Sequence, residues 1–344
     1  MGLTRVASVI MRASRNLSSR PGKEPSMLEV QGLTRYYGRF RALHDVSFRV
    51  DAHQVVGLLG LNGAGKSTTL KILAGLLMPS SGSVRVGDVD ATFAPNRLRR
   101  RIGFLPEHPP LYDEMRVDEF VGWCGQMKGM SRTEVARRLP EVFELCGLGD
   151  VRQQVIGTLS HGFRKRVGIA QAIVHAPDLV LLDEPVSGLD PHQIVGMRAT
   201  VRALGEHATV IVSSHILSEV EQTCDRILVL DGGRLVADGT EDELSRRFGT
   251  GNRLELDLRG TEGDVRAILE GHPAVRDVEV ARVGDGIVRA SVALDGDVRE
   301  ELVRALVEAN IGVRRVEEGE GELERIFLRL TTEASDEASE EARA

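Results

Sequence analysis

At 344 residues, with 42% hydrophobic and 28% charged positions, the chain has the balance of a globular protein with room for two domains. Its formal net charge of −7 argues against a general nucleic-acid binder, and three scattered cysteines without C-x-x-C spacing exclude a disulfide framework or a cysteine zinc site. No apolar stretch approaches the roughly 20 residues that span a bilayer, so any role at a membrane requires another chain to cross it.

Residues 1–26 stand apart. Arg5, Arg12, Arg15, Arg20 and Lys23 precede the first acid, Glu24. The composition matches a transit peptide or a basic membrane-surface tail, while its apolar stretch is too short for a signal peptide. The expectation is a disordered extension, with Met27 as an alternative start. Beyond it, Leu28–Val30 and Val46–Val50 read as short strands around a surface loop containing R-Y-Y-G. An aromatic here offers its face to a base; Tyr37 is the candidate and Tyr36 the alternative.

Val55–Leu59 is wholly apolar, as in a strand of a parallel sheet covered on both faces. It breaks at Gly60, and Gly60–Ser67 reads G-x-x-x-x-G-K-S, the phosphate-binding P-loop. Gly60, Gly63 and Gly65 let the backbone wrap closely around a phosphate. The helix that follows adds its positive dipole end. Lys66 supplies a point charge for the β- and γ-phosphates, and the Ser67 hydroxyl is placed for Mg²⁺. This predicts an ATP or GTP site. The helix is expected over Gly65–Leu77, with a strand at Ser83–Val86.

Residues 95–101 are basic; a short strand at Ile102–Leu105 and the loop P-E-H-P-P-L-Y-D follow. From Val117 to about His175 the periodicity is helical. Ser131 with Glu134 makes a capping box, and Pro140 is expected to interrupt and kink that helix. Within L-S-H-G-F-R-K-R-V, Ser160 caps a helix running to about Val174, whose N-terminus is a candidate second anion site. Asp178–Leu182 is another apolar strand, ending in Asp183-Glu184-Pro185. An acidic pair at the carboxyl end of such a strand lies where α/β sheets bind ligands. Asp183 would help hold Mg²⁺, and Glu184 would polarise an attacking water.

Pro191 opens a helix after V-S-G-L-D. Thr209–Val212 is the next strand, and the following His215 is placed to donate to a γ-phosphate oxygen. Ile227–Leu230 and Leu235–Ala237 form a hairpin, and Thr240 with Glu243 opens a short helix. After Gly249-Thr250-Gly251, residues 252–332 read strand, helix, strand, strand, helix, strand, then a short amphipathic helix at 322–330. That order predicts a small α+β, ferredoxin-like accessory domain. Residues 333–344 are an acidic tail expected to be disordered.

The P-loop, L-S-H-G-F, L-V-L-L-D-E-P, S-G-L-D and S-S-H occur in this order over residues 27–248. That stretch resembles the ATP-binding subunit of ABC transporters. The P-E-H-P-P-L-Y-D loop, the variant signature and the C-terminal module are similar to the subfamily that serves ABC-2 or multidrug exporters. The resemblance implies an α/β P-loop NTPase with a helical insertion at about 95–175, binding ATP and Mg²⁺. By the same resemblance Tyr37 would stack on adenine, and Gly60, Leu61, Asn62, Gly63, Ala64, Gly65, Lys66, Ser67 and Thr68 would hold the triphosphate. Asp183 and Ser67 would support Mg²⁺, Glu184 would be the general base, and His215 would sense the γ-phosphate. Ser160 and Gly162 would touch ATP held by another subunit, and Asp190 would lie at the seam of a head-to-tail homodimer or heterodimer.

The implied partner is a separate ABC-2 type membrane permease, with this chain on the cytoplasmic face of the cell membrane and no nucleic acid involved. The alternative is a non-transport ABC ATPase acting on ribosomes or nucleic acid. Glu107 stands where the family usually has Gln. As a carboxylate it would still bind Mg²⁺ in the catalytic site, but it cannot donate the amide hydrogen bond. His161 and Phe163 also depart from the usual L-S-G-G-Q, and Leu61 replaces a common Pro. None removes a core catalytic group, so an active ATPase is expected.

Overall fold

Residues that alternate toward two different cores shape the first part of the chain. The computed structural model describes residues 26–91, 95–247, 252–284, 286–294, 296 and 298–318. Nearly all of the expected basic extension, the helix at 322–330 and the acidic tail lie outside the described residues. In chain order, β1 (Leu28–Tyr37) and β2 (Phe40–Val50) form a hairpin, followed by β3 (Val55–Leu59) and helix α1 (Lys66–Leu73). Next come β4 (Ser81–Val86), β5 (Val89–Asp90), α2 (Pro95–Arg101) and β6 (Ile102–Leu105). Three helices, α3 (Val117–Met127), α4 (Arg132–Leu145) and α5 (His161–Ile173), lead to β7 (Leu179–Asp183) and α6 (Pro191–Gly205). The set closes with β8 (Thr209–Ser214), α7 (Leu217–Glu221), β9 (Arg226–Asp231), β10 (Arg234–Gly239) and α8 (Glu241–Arg247).

Two sheets result. One is antiparallel in the order β2-β1-β4-β5; the other has six strands in the order β10-β9-β3-β8-β7-β6, parallel except for β10. In β7, Leu179 and Leu181 enter a core shared with α1 and the antiparallel sheet, while Val180 and Leu182 enter a core shared with α3 to α6. Ile211 against Val210 and Val212 repeats the division in β8. Side chains of successive strand residues point to opposite faces, so a strand covered on both must be apolar throughout.

Several local expectations change. β1 and β2 are far longer than the short strands expected, because register shifts after Val30, Leu33 and Arg35 interrupt the alternation that marks a strand in sequence. Helix α1 ends at Leu73 rather than Leu77: Gly75 takes φ +67° and turns the chain away, leaving Leu76 exposed. Pro140 sits inside α4, which continues as one helix to Leu145. The capping box at Ser131 and Glu134 is present in both directions, at 3.2 and 2.7 Å. β6 is hydrogen-bonded to β7 as a strand of the six-stranded sheet, so the inserted helices begin only after Leu105.

His175, just beyond α5, donates from Nε2 to the Ile102 carbonyl at 3.1 Å. Burial, reinforced by the Lys128 ammonium, pushes its imidazole down from 6.5 to about 4. The unfolded chain takes up that proton at its ordinary pKa, so the stabilisation is complete above pH 6.5 and is lost as pH falls toward 4, by at most about 3 kcal/mol. Urea unfolding at pH 7 and pH 4.5 should show a smaller loss for His175→Gln than for the native chain; equal losses would refute this account.

The remaining described elements form a unit of their own: β11 (Asn252–Arg259), α9 (Glu262–Glu270), β12 (Val275–Gly284), β13 (Ile287–Leu294), α10 (Arg299–Glu308) and β14 (Gly312–Glu318). All pairings are antiparallel, in the order β12-β13-β11-β14. This is the ferredoxin-like arrangement expected from the element order. Leu254, Leu256 and Leu258 alternate into its core with Val265, Leu269, Leu302 and Leu306. Asp257 and Arg289 pair on strand positions between those core residues, at 2.8 Å.

Candidate functional site

The parallel strands end on one side, and the residues that follow β3, β6, β7 and β8 converge there. Two glycines show why the loop after β3 has its spacing. A Cβ on Gly60 would meet the Leu230 carbonyl oxygen at 2.5 Å, and Gly65, the N-cap of α1, takes φ +101°. Ala64 is buried and its amide bonds the Leu61 carbonyl at 3.1 Å, closing the turn. Lys66 is only 5% exposed. Its Nζ donates to the Gly60 carbonyl at 2.7 Å and the Leu61 carbonyl at 3.3 Å, and lies 3.4 Å from Glu184 Oε1.

Asp183 and Glu184 do different things from adjacent positions. Asp183 Oδ1 accepts from Ser67 Oγ at 3.1 Å and from Ser213 Oγ at 2.7 Å. Ser213 Oγ in turn accepts from the Glu184 amide at 2.9 Å. Glu184 has φ +48°, a left-handed conformation rare for a side chain of its size, and its Oε2 lies 3.0 Å from His215 Nδ1. One carboxylate oxygen thus faces the loop lysine and the other the histidine. This buried arrangement compensates a charge that would otherwise be costly to remove from water.

An open cleft is lined by Tyr37, Phe40, Leu61, Asn62, Gly63, Gly65, Lys66, Ser67, Thr68, Glu107, Glu184 and His215, together with Ala42 and Ser187. Tyr37 is half exposed, with the Arg35 guanidinium 5.0 Å from its ring centre. Tyr36 is not among the lining residues; Arg41 covers its ring at 5.5 Å. Ser160, Gly162 and Asp190 do not line the cleft. Ser160 caps α5 through Phe163 N at 3.4 Å, Gly162 packs beneath Gln193, and Asp190 caps α6 through Gln193 N at 2.9 Å.

Three participants were not singled out from sequence. Phe40 faces Tyr37 across the β1–β2 register. Ser213 sits inside S-S-H, two residues before the histidine. Lys165 is 2% exposed and donates to the backbone carbonyls of Glu107 and Glu184. Its signal was a lysine on the apolar stripe of α5, three residues after Gly162 and four before Ile169, both buried.

The ABC transporter family matches residues 43–187. The chain is 36% identical over 323 residues to the daunorubicin/doxorubicin resistance ATP-binding protein DrrA of Streptomyces peucetius, covering 92% of this chain and 96% of that protein. It belongs to the family of ABC transporter ATP-binding proteins. The linearmycin resistance ATP-binding protein LnrL of Bacillus subtilis (strain 168) is 32% identical, covering 89% of this chain and 98% of that one. Among solved structures, an ATP-binding subunit of an ABC transporter superposes with a TM-score of 0.60 at 35% identity, covering 65% of this chain and 94% of that one. A dimeric bacterial ABC transporter cassette gives 0.57 at 26% identity, covering 62% and 98%. The ABC ATPase is therefore an ATP-binding and ATP-hydrolysing subunit of a transporter, built on an ABC-type P-loop fold. No described helix is long and apolar enough to cross a membrane.

Proposed function

We propose that this ATPase energises a separate ABC-2 type permease for export, working as a head-to-tail dimer on the cytoplasmic face of the cell membrane. The observation that carries the reading is the division of the site. Lys66, Glu184 and His215 share one cleft, whereas Ser160 and Asp190 cap helices outside it and Gly162 lies in the first turn of α5 against Gln193. A second copy, related by twofold symmetry, would bring its Ser160 segment over this cleft and receive the same in return. Export is supported by relatives whose names denote drug resistance. The similar solved structures are an ATP-binding subunit and a cassette of ABC transporters, which favours transport over a ribosomal or nucleic-acid role. The division of the chain into a cassette at 27–248 and an accessory domain at 252–332 belongs to the same reading.

In the closed site Tyr37 holds the base, the Gly60–Thr68 loop holds the phosphates, and Lys66 turns its ammonium to the β- and γ-phosphates. Glu184 accepts the proton of the attacking water. His215 Nδ1 lies 3.0 Å from Glu184 Oε2, and the histidine lines the same cleft, where it would contact the γ-phosphate. Ser67 Oγ and Asp183 Oδ1 are hard oxygen donors 3.1 Å apart, a pair that fits Mg²⁺, which takes one or two carboxylates and completes its shell with phosphate and water. Glu107 lines the same cleft as a further carboxylate. Mg²⁺ held there would neutralise charge developing on the phosphates.

The permease-facing surface is the stretch from Glu107 to Met130. Tyr112 and Trp123 pack edge-on with ring centres 5.3 Å apart, both substantially exposed, and Met127 is 69% exposed. Pull-down of the full chain from detergent-solubilised membranes tests the reading: recovery with a multi-helix membrane protein is expected, and recovery with ribosomes instead would overturn it. Base stacking is tested separately. Tyr37→Ala should raise the ATP KM by roughly five- to a hundredfold, the equivalent of about 1–3 kcal/mol of stacking, at unchanged kcat. Tyr36→Ala should leave KM in place, and the reverse result would assign the stacking to Tyr36.

A further inference from the structure

Lys165 is wholly buried, and none of the roles above uses it. A buried ammonium is tolerated where its donors are satisfied, and a carboxylate partner is the usual solution. Here Nζ bonds two backbone carbonyls instead, Glu107 O at 2.6 Å and Glu184 O at 3.2 Å. Lys165 therefore makes its hydrogen bonds to neither carboxylate, and both residues line the cleft.

The position of Glu184 explains why such a tie matters. Its φ of +48° lies in a region that residues with a Cβ leave unless the surroundings hold them there. The two peptide units around it are held from different sides: the amide by Ser213 Oγ at 2.9 Å, the carbonyl by Lys165. Ser213 belongs to β8 and Lys165 to α5, the helix that Ser160 caps. A second contact links α5 to the loop after β6, since Arg164 pairs with Asp113 at 2.7 Å. The helix bearing the signature segment is thus bonded directly to the Glu107 loop and to the backbone of Glu184.

We propose that Lys165 is a positioning residue for ATP hydrolysis: by clamping the Glu184 carbonyl to the Glu107 loop, it holds the Glu184 carboxylate in line for the attacking water. The proposal rests on the reading of Glu184 as the general base. It predicts a defect in turnover with binding intact, because Lys165 touches neither the loop at 60–68 nor Tyr37 through any hydrogen bond it makes.

The experiment compares steady-state ATP turnover and ATP affinity of the full-length protein with those of Lys165→Met, Lys165→Gln and Glu184→Gln. Lys165→Met keeps an unbranched side chain one atom shorter and removes all donors. Its kcat should fall at least about tenfold, with KM for ATP within about twofold of native. Lys165→Gln retains a donor and should recover part of that loss; it also carries the test if the methionine variant does not stay folded, its kcat then lying below native at unchanged KM. Native kcat in both variants, or losses of kcat and ATP binding that track loss of folded protein, would overturn the proposal. Failure of the underlying reading would look different: Glu184→Gln would hydrolyse ATP at the native rate, whatever Lys165 does.

Discussion

Glu184→Gln should reduce ATP turnover by about a hundredfold or more while leaving ATP binding intact, in keeping with the 10²–10⁴ contributed by a positioned base. The carboxamide matches the carboxylate in shape and still accepts from His215 Nδ1, which is 3.0 Å from Oε2 in the native protein. It cannot take a proton from water. It also removes a negative charge 3.4 Å from Lys66 Nζ, which leaves that ammonium freer to engage phosphate. The variant should therefore accumulate ATP-bound dimers, seen as a doubled mass by light scattering with Mg-ATP and a monomer without nucleotide. Turnover within about tenfold of native, or no nucleotide-dependent dimer, would remove Glu184 from the role of base.

Lys66→Ala should act on the other parameter. The ammonium is 5% exposed and lies among the Gly60 and Leu61 carbonyls and the Glu184 carboxylate. Without it the phosphates lose their buried cation, and Glu184 faces them as an uncompensated negative charge. Losing hydrogen bonds from a charged donor typically costs about 1.5–3 kcal/mol, so the ATP dissociation constant should rise about ten- to a hundredfold. Equilibrium binding of a fluorescent ATP analogue measures this directly. Binding within about threefold of native would mean that the loop backbone, not Lys66, carries the phosphates.

These two variants separate what the loop does from what the acid after β7 does, and the two groups differ in how they could be read. The loop is a local device. Its glycine spacing, its lysine and its serine lie within eight consecutive residues, and the φ of +101° at Gly65 shows why that position tolerates no ordinary residue. The same holds for β3, β7 and β8, whose unbroken apolar runs follow from burial on both faces, and for the caps at Ser131, Ser160 and Thr240. Sequence pattern is silent where the deciding partner is distant or the pattern is interrupted. Bulges hid the length of β1 and β2, and Gly75 ended α1 early although Leu76 continued its apolar spacing.

What the amino-acid order determined by itself was therefore chemistry that needs only near neighbours: a phosphate loop, an acidic pair, a terminal histidine, helix caps and the parallel character of the central strands. Their meeting was decided by tertiary structure alone. The strand order β3-β8-β7-β6 places Ser67, Ser213, Asp183 and Glu184 in one hydrogen-bonded chain although 146 residues separate the ends of that set. Only the fold holds Glu184 in a left-handed conformation between Ser213 and Lys165, and only the fold leaves Ser160 and Asp190 outside the cleft. The reason is physical. A cap or a loop is stabilised by bonds to residues a few positions away, whereas a buried ion and a strained backbone persist only where several separate elements bring their donors to the same point.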